Sequence, residues 1–139
     1  MKHDAVFEGS RFVPEWIRHE LSQFGAEELA TYLARDDAGP DRRVLVATDL
    51  GVLDLRMRPG STGNSILFSQ MRLWESIGDV SMTTTTYAEE GRQFRSTLSL
   101  SITALKLDDE RDTFPERGLA DFARVCLRRG ALPDETPSV

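Results

Sequence analysis

The stretch from Val44 to Met57 constrains the fold more than any other part of the chain. Val44-Leu45-Val46-Ala47-Thr48 is a continuous apolar run of strand length, Asp49-Leu50-Gly51 is a tight turn, and Val52-Leu53-Asp54-Leu55-Arg56-Met57 is a second β-rich run. Two such runs joined by so few residues form an antiparallel hairpin, since parallel neighbours need a crossover of a dozen residues or more. The chain is therefore expected to build an antiparallel sheet around this hairpin.

Other segments extend the sheet. Leu29 to Arg35 mixes apolar residues with Thr31 and Tyr32 before Asp36-Asp37-Ala38-Gly39-Pro40-Asp41 breaks the chain. Pro59-Gly60-Ser61-Thr62-Gly63-Asn64 is the clearest loop, and Ile66 to Trp74 reads as one longer strand, bent or interrupted. Val80, Met82, Thr84 and Thr86 form one face of a strand ending near Tyr87, and Glu89-Glu90-Gly91 turns it. Phe94, Ser96, Leu98, Leu100 and Ile102 line one face of the next, opposite Arg95, Thr97, Ser99 and Ser101, so that 92–107 reads as one long strand. Six strands are legible in this way. The carboxylates Asp108-Asp109-Glu110 read as a solvated turn.

Helices flank the strands. Residues 1–12 read as an arm; Pro14 and Glu15 suit a first helical turn, Gly25 a stop, and Ile17, Leu21 and Phe24 fall at helical spacing with Trp16 beside them. This short amphipathic helix either packs on the main body or offers Trp16, Ile17, Leu21 and Phe24 as an interface. At the other end Thr113-Phe114-Pro115-Glu116 fits a capping box. Leu119, Phe122, Ala123, Cys126 and Leu127 follow as an apolar stripe with Arg124, Arg128 and Arg129 on its flank and end, and Gly130 closes the helix. Leu33, Val44, Val46, Leu53, Leu55, Leu73, Leu98, Leu100, Phe122 and Cys126 are the expected core.

This order of elements defines an α+β chain, mainly antiparallel β, and it resembles the bacterial pleckstrin-homology-like (PH-like) domains. The residues that carry the resemblance are Val44 to Asp49 turning into Val52-Leu53-Asp54-Leu55, the passage Leu73-Trp74-Glu75-Ser76-Ile77-Gly78-Asp79-Val80, and the closing Leu119-Ala120-Asp121-Phe122-Ala123. The resemblance covers roughly residues 27–130. It implies a curled sheet or partly open barrel of six to seven strands capped by the C-terminal helix, with 1–26 as an added N-terminal arm and helix and 131–139 as a flexible tail. The family's minimal module has seven strands and lacks the helix at 14–24. Its eukaryotic members hold inositol phosphates at the open end, between the first and second and the third and fourth strands.

In this chain that end collects Arg35, Arg42, Arg43, Arg56 and Arg58, with Arg72 nearby. Arginine forks suit phosphate, but Asp36, Asp37, Asp41 and Asp54 are interspersed, and fifteen arginines against two lysines read as a compositional habit rather than a lipid code. Salt-bridged, solvent-facing arginines are the plainer expectation.

The 139 residues carry seventeen basic and twenty-three acidic side chains, a net charge of −6. That balance disfavours nucleic acid and makes a membrane surface an unfavourable partner. No apolar run approaches the ~20 residues of a membrane span and no hydrophobic signal core is present, which points to a cytoplasmic protein. A single Cys126 rules out an internal disulfide, and His3 and His19 are too few for a Cys/His zinc site. No nucleophile sits with a base, no glycine loop cradles phosphate, and neither carboxylate cluster has calcium-loop spacing, so no enzyme, metal or cofactor is expected. The expected function is a non-catalytic interaction module that binds a protein partner or itself; the alternative is a phosphorylated ligand or lipid headgroup held by the arginines of the hairpin 43–58. A homodimer is expected from the sheet edge, because 79–87 and 94–107 carry few charges to blunt pairing.

Overall fold

The structure is a computed structural model in which residues 12–34, 42–59, 65–87, 95–112 and 118–131 are described. In chain order these form α1 (Phe12–Phe24), β1 (Glu28–Leu33), β2 (Arg42–Thr48), β3 (Gly51–Pro59), β4 (Ser65–Leu73), a 3₁₀ turn (Trp74–Ser76), β5 (Val80–Tyr87), β6 (Arg95–Ile102), a second 3₁₀ turn (Thr103–Leu105), β7 (Leu107–Asp112) and α2 (Leu119–Ala131). The strands form two antiparallel sheets, β1-β2-β3-β4 and β5-β6-β7.

The hairpin at the centre of the first sheet closes through its own side chains. The Thr48 hydroxyl accepts from the backbone N–H of Leu50 and of Gly51, both at 3.1 Å, and donates to the Gly51 carbonyl at 2.8 Å. A Cβ at Gly51 would strike the carbonyl oxygen of Arg72, so glycine is what lets β3 approach β4 at this point. The Thr48 carbonyl also accepts from Trp74 Nε1 at 2.9 Å, fixing the 3₁₀ turn that leads to the second sheet.

Both faces of the hairpin are buried, which is why its sequence is apolar throughout rather than alternating. Val44, Val46, Leu53, Leu55 and Met57 point outward and are covered by Trp16, Ile17 and Leu21 of α1. Leu45, Ala47 and Val52 point inward with Ala30 and Tyr32, into a core shared with Leu100, Ile102, Leu105 and Leu107 of the second sheet and Leu119, Phe122, Ala123 and Cys126 of α2. The Tyr32 and Phe122 rings meet at 5.8 Å. The second helix packs chiefly on β1 and also reaches β2, β5 and β6, so it seals the side of the molecule where the β1 edge faces the second sheet.

Several expectations are corrected. Trp16, Ile17 and Leu21 are 5, 0 and 8% exposed and serve as the inner lining of α1, so they are not available as an interface; Phe24, at the helix end, is 37% exposed. The outward face of β2 and β3 is itself apolar and needs this cover. The helix is thus a layer of the domain rather than an appendage. Leu73, expected in the core, is 47% exposed at the end of the edge strand β4, and Leu33 and Leu98 are half-buried. Residues 65–73 form a continuous strand, with the break only at Trp74. The stretch 92–107 is not one strand: β6 ends at Ile102, the chain turns through Thr103–Leu105, and β7 begins at Leu107. The carboxylates Asp108-Asp109-Glu110, read as a turn, lie in an edge strand, Leu107–Asp112, that carries mostly charge. The loop at Gly60–Asn64, the segment at Asp36–Asp41, the capping box at Thr113–Glu116 and most of the tail lie outside the described residues. No helix among the described residues is long and apolar enough to cross a membrane.

Candidate functional site

The inner face of the first sheet changes character from β2 to β4. Strand register sets three rows across β2, β3 and β4: Ala47, Val52 and Arg72; Leu45, Asp54 and Gln70; Arg43, Arg56 and Phe68. Because alternate residues share a face, all nine side chains point the same way. The apolar members of these rows lie toward the sealed side, whereas the β4 members are polar or aromatic. Opposite them the 3₁₀ turn of the second sheet contributes Ala104, Leu105 and Lys106. The two sheets enclose a cleft of about 240 Å³ here, lined by Arg43, Asp54, Arg56, Phe68, Gln70 and Arg72 together with those three turn residues.

Asp54 organises the cleft. Its side chain is 6% exposed, and it accepts from Arg43 in a fork, Nε at 3.1 Å and Nη2 at 2.9 Å, with Arg56 Nη2 farther off at 3.4 Å. Arg43 Nη2 also donates to the Leu105 carbonyl at 2.6 Å, so one guanidinium ties the first sheet to the turn of the second. A fork of this kind fixes orientation as well as charge. Arg43 and Asp54 thus satisfy each other and hold the cleft's two walls in place.

The remaining cations are less committed. Arg56 is 44% exposed and shares only the longer contact to Asp54. Arg72 Nε is buried without a hydrogen-bond partner, an arrangement that costs free energy unless a ligand or water satisfies it. Lys106 is exposed and is the one non-glycine residue at positive φ among the described residues, at 55°. Left-handed backbone costs a side-chain-bearing residue about 1–2 kcal/mol, and glycine would avoid that cost. Strain of this kind is often kept where a side chain has a task. Among the described residues, four cations against the single carboxylate of Asp54 make the lining of the cleft positive on an acidic chain.

The structure brings together three of the six arginines singled out from the sequence: Arg43, Arg56 and Arg72. Arg42 is exposed, and strand alternation turns it to the opposite face; Arg58 shares the face of Arg56 but does not line the cleft; Arg35 lies outside the described residues. The meeting point is the corner between β4 and the 103–106 turn rather than the end of the hairpin. Phe68, Gln70 and Lys106 were not anticipated. Asp54 could have been: a carboxylate on the inward side of an apolar strand, with an arginine on the neighbouring strand, signals a buried pair. Lys106 left a fainter trace, as one of only two lysines in the chain.

Two groups with catalytic potential, His19 and Cys126, lie away from the cleft. His19 lies exposed on α1, 3.4 Å from Gln23 Nε2. Cys126 is buried in the inner core, where burial pushes its thiol from 9.0 up to about 12 and keeps it protonated. Among the described residues no three His, Cys, Asp or Glu side chains gather to hold a metal ion. Compared with protein-family models, curated proteins and solved structures, the chain matches none.

Proposed function

We propose that this protein is a non-catalytic binding module on a PH-like scaffold and that it recognises an anionic group in the cleft between β4 and the 103–106 turn. The observation that carries this reading is that Arg56, Arg72 and Lys106 line one cleft together with the pre-positioned Arg43–Asp54 pair. The strand order of four and three followed by a helix supports the PH-like part of it. Calorimetric titration with phosphate and sulfate at low ionic strength tests the binding. Association that weakens with added salt and is lost in an Arg56→Gln/Arg72→Gln double variant is expected; heats identical to dilution with both anions would overturn it.

A second reading, self-association, is favoured by β5. Among the described strands this one is an edge, and Ser81 and Thr83–Thr86 are exposed on both of its faces, a surface that a second copy could cover. Light scattering across a dilution series tests it: a mass of 15.6 kDa at every concentration rejects association.

A further inference from the structure

Resting on the reading of this cleft as an anion site, we propose that its ligand is a small, free phosphate monoester bound as the dianion. Three observations narrow the class. The first is charge. Arg43, Arg56, Arg72 and Lys106 against Asp54 leave a surplus matched better by a monoester, which carries about −1.5 to −2 at neutral pH, than by a single carboxylate. The second is donor geometry. Once Arg43 is occupied by Asp54 and the Leu105 carbonyl, the cations left lining the cleft are Arg56, which is half-exposed and holds only the longer contact to Asp54, Arg72 and Lys106. They come from three separate elements, β3, β4 and the turn, and a phosphoryl group has three terminal oxygens to accept from them.

The third observation is size. A cleft of about 240 Å³ lies below the range of roughly 300–1,000 Å³ that encloses drug-sized ligands, so it admits one phosphoryl group with a small organic body. Phe68, 51% exposed in the cleft wall, gives that body an apolar surface. A phosphoryl group displayed on an anionic bilayer or a nucleic acid is a poorer fit. Such a surface would bring extended negative charge against a chain whose own net charge is −6.

Among the described residues, the charged side chains facing the cleft are Arg43 from β2, Asp54 and Arg56 from β3, Arg72 from β4 and Lys106 from the turn, and no histidine lines it. Between pH 5 and 7 the ligand's own second ionisation, near 6, is therefore the one that sets affinity. The experiment is calorimetry on the full chain with phenyl phosphate and with sulfate, alongside sedimentation with phosphatidylcholine vesicles containing a phosphatidylinositol phosphate. Phenyl phosphate is expected to bind more tightly as pH rises from 5 to 7, and sulfate to bind more weakly with a flat pH profile. Arg72→Gln and Lys106→Gln should each weaken phenyl phosphate roughly 10- to 100-fold, the usual effect of losing one charge-assisted contact. Melting curves show whether the variants fold, and the half-exposed Arg56→Gln takes the place of Arg72→Gln if that one does not. Sulfate binding as tightly as phenyl phosphate, with no pH dependence, overturns the monoester while leaving the anion site standing. Vesicle binding without phenyl phosphate binding also overturns it, and silence from every anion removes both readings together.

Discussion

At the β1 side of the first sheet's inner face, Ala30 and Tyr32, beside Leu45 and Ala47 of β2, lie under Leu119, Phe122, Ala123 and Cys126 of α2, all nearly or fully buried. At the β4 side of the same face, Phe68, Gln70 and Arg72 look across a cleft at Ala104, Leu105 and Lys106. The two sides share strands and core, yet one is closed by a helix with an apolar stripe and the other by an ion pair with spare cations. Closing both with apolar side chains would give more buried area and a more stable domain. The open side instead keeps a lysine in left-handed backbone and a buried guanidinium N–H without a partner, features that lower stability. What the difference teaches is that the sealed side reports on folding and the open side on the proposed binding, and substitutions on each should separate the two.

The largest expected effect is on the sealed side. Phe122→Ala empties a fully buried aromatic site against Tyr32 and should cost about 3–5 kcal/mol in urea unfolding. An unchanged unfolding midpoint would show that α2 is not docked as described.

Next is the strut of the open side. Asp54→Ala leaves the mostly buried Arg43 without its carboxylate and should cost about 3 kcal/mol. Replacing both partners with apolar residues of similar size, Arg43→Met with Asp54→Leu, should return stability to within about 1 kcal/mol of the original, because neither charge is then stranded. Anion binding should not return with it, since the cleft loses the pair that positions its walls. A double variant that is stable and still binds would break the comparison.

The sealed side also has a pH signature. The folded state holds the Cys126 proton up to about 12, while the unfolded thiol releases it near 9.0. Between those values the unfolded state binds fewer protons, so stability falls as pH rises, by about 1.4 kcal/mol per unit. Near pH 10.5 that amounts to roughly 2 kcal/mol relative to a Cys126→Ala variant measured against its own neutral value. Below pH 9 the thiol contributes no slope. Equal alkaline slopes in the two proteins would place Cys126 closer to water than the structure does.

The sealed side was legible in the sequence for a physical reason. Its elements carry local signals: an apolar stripe at Leu119, Phe122, Ala123 and Cys126, alternation at Leu98, Leu100 and Ile102, and a hairpin whose apolar run reflects burial on both faces. The residues covering the outer face of that hairpin were visible too, but Trp16, Ile17 and Leu21 suit an external partner as well as an internal sheet, and periodicity cannot say which. The open side has no local signal. Its arginines come from β2, β3 and β4, they meet through register, and the opposing wall comes from a turn more than thirty residues farther along the chain. Residues 107–112 stayed hidden because five of the six are charged, so the strand shows no apolar alternation and is held by pairing with β6. Charge on that edge suits its place at the margin of the sheet.

The smallest effect sharpens the comparison most. Lys106 adopts φ 55° and ψ 40° at the end of the Thr103–Leu105 turn, a conformation glycine reaches without steric cost. Lys106→Gly should therefore stabilise the domain by about 1 kcal/mol, offset in part by the greater freedom glycine gains in the unfolded chain. The same substitution removes an ammonium from the cleft and should weaken anion binding. Thermal melting and calorimetry on one variant then read opposite signs: higher stability, lower affinity. A side chain that only fills space would not produce that pairing, because its loss would leave affinity unchanged. If Lys106→Gly lowered stability and left affinity intact, the lysine would be a structural element of the turn and the proposed site would lose one of the three cations it has besides Arg43.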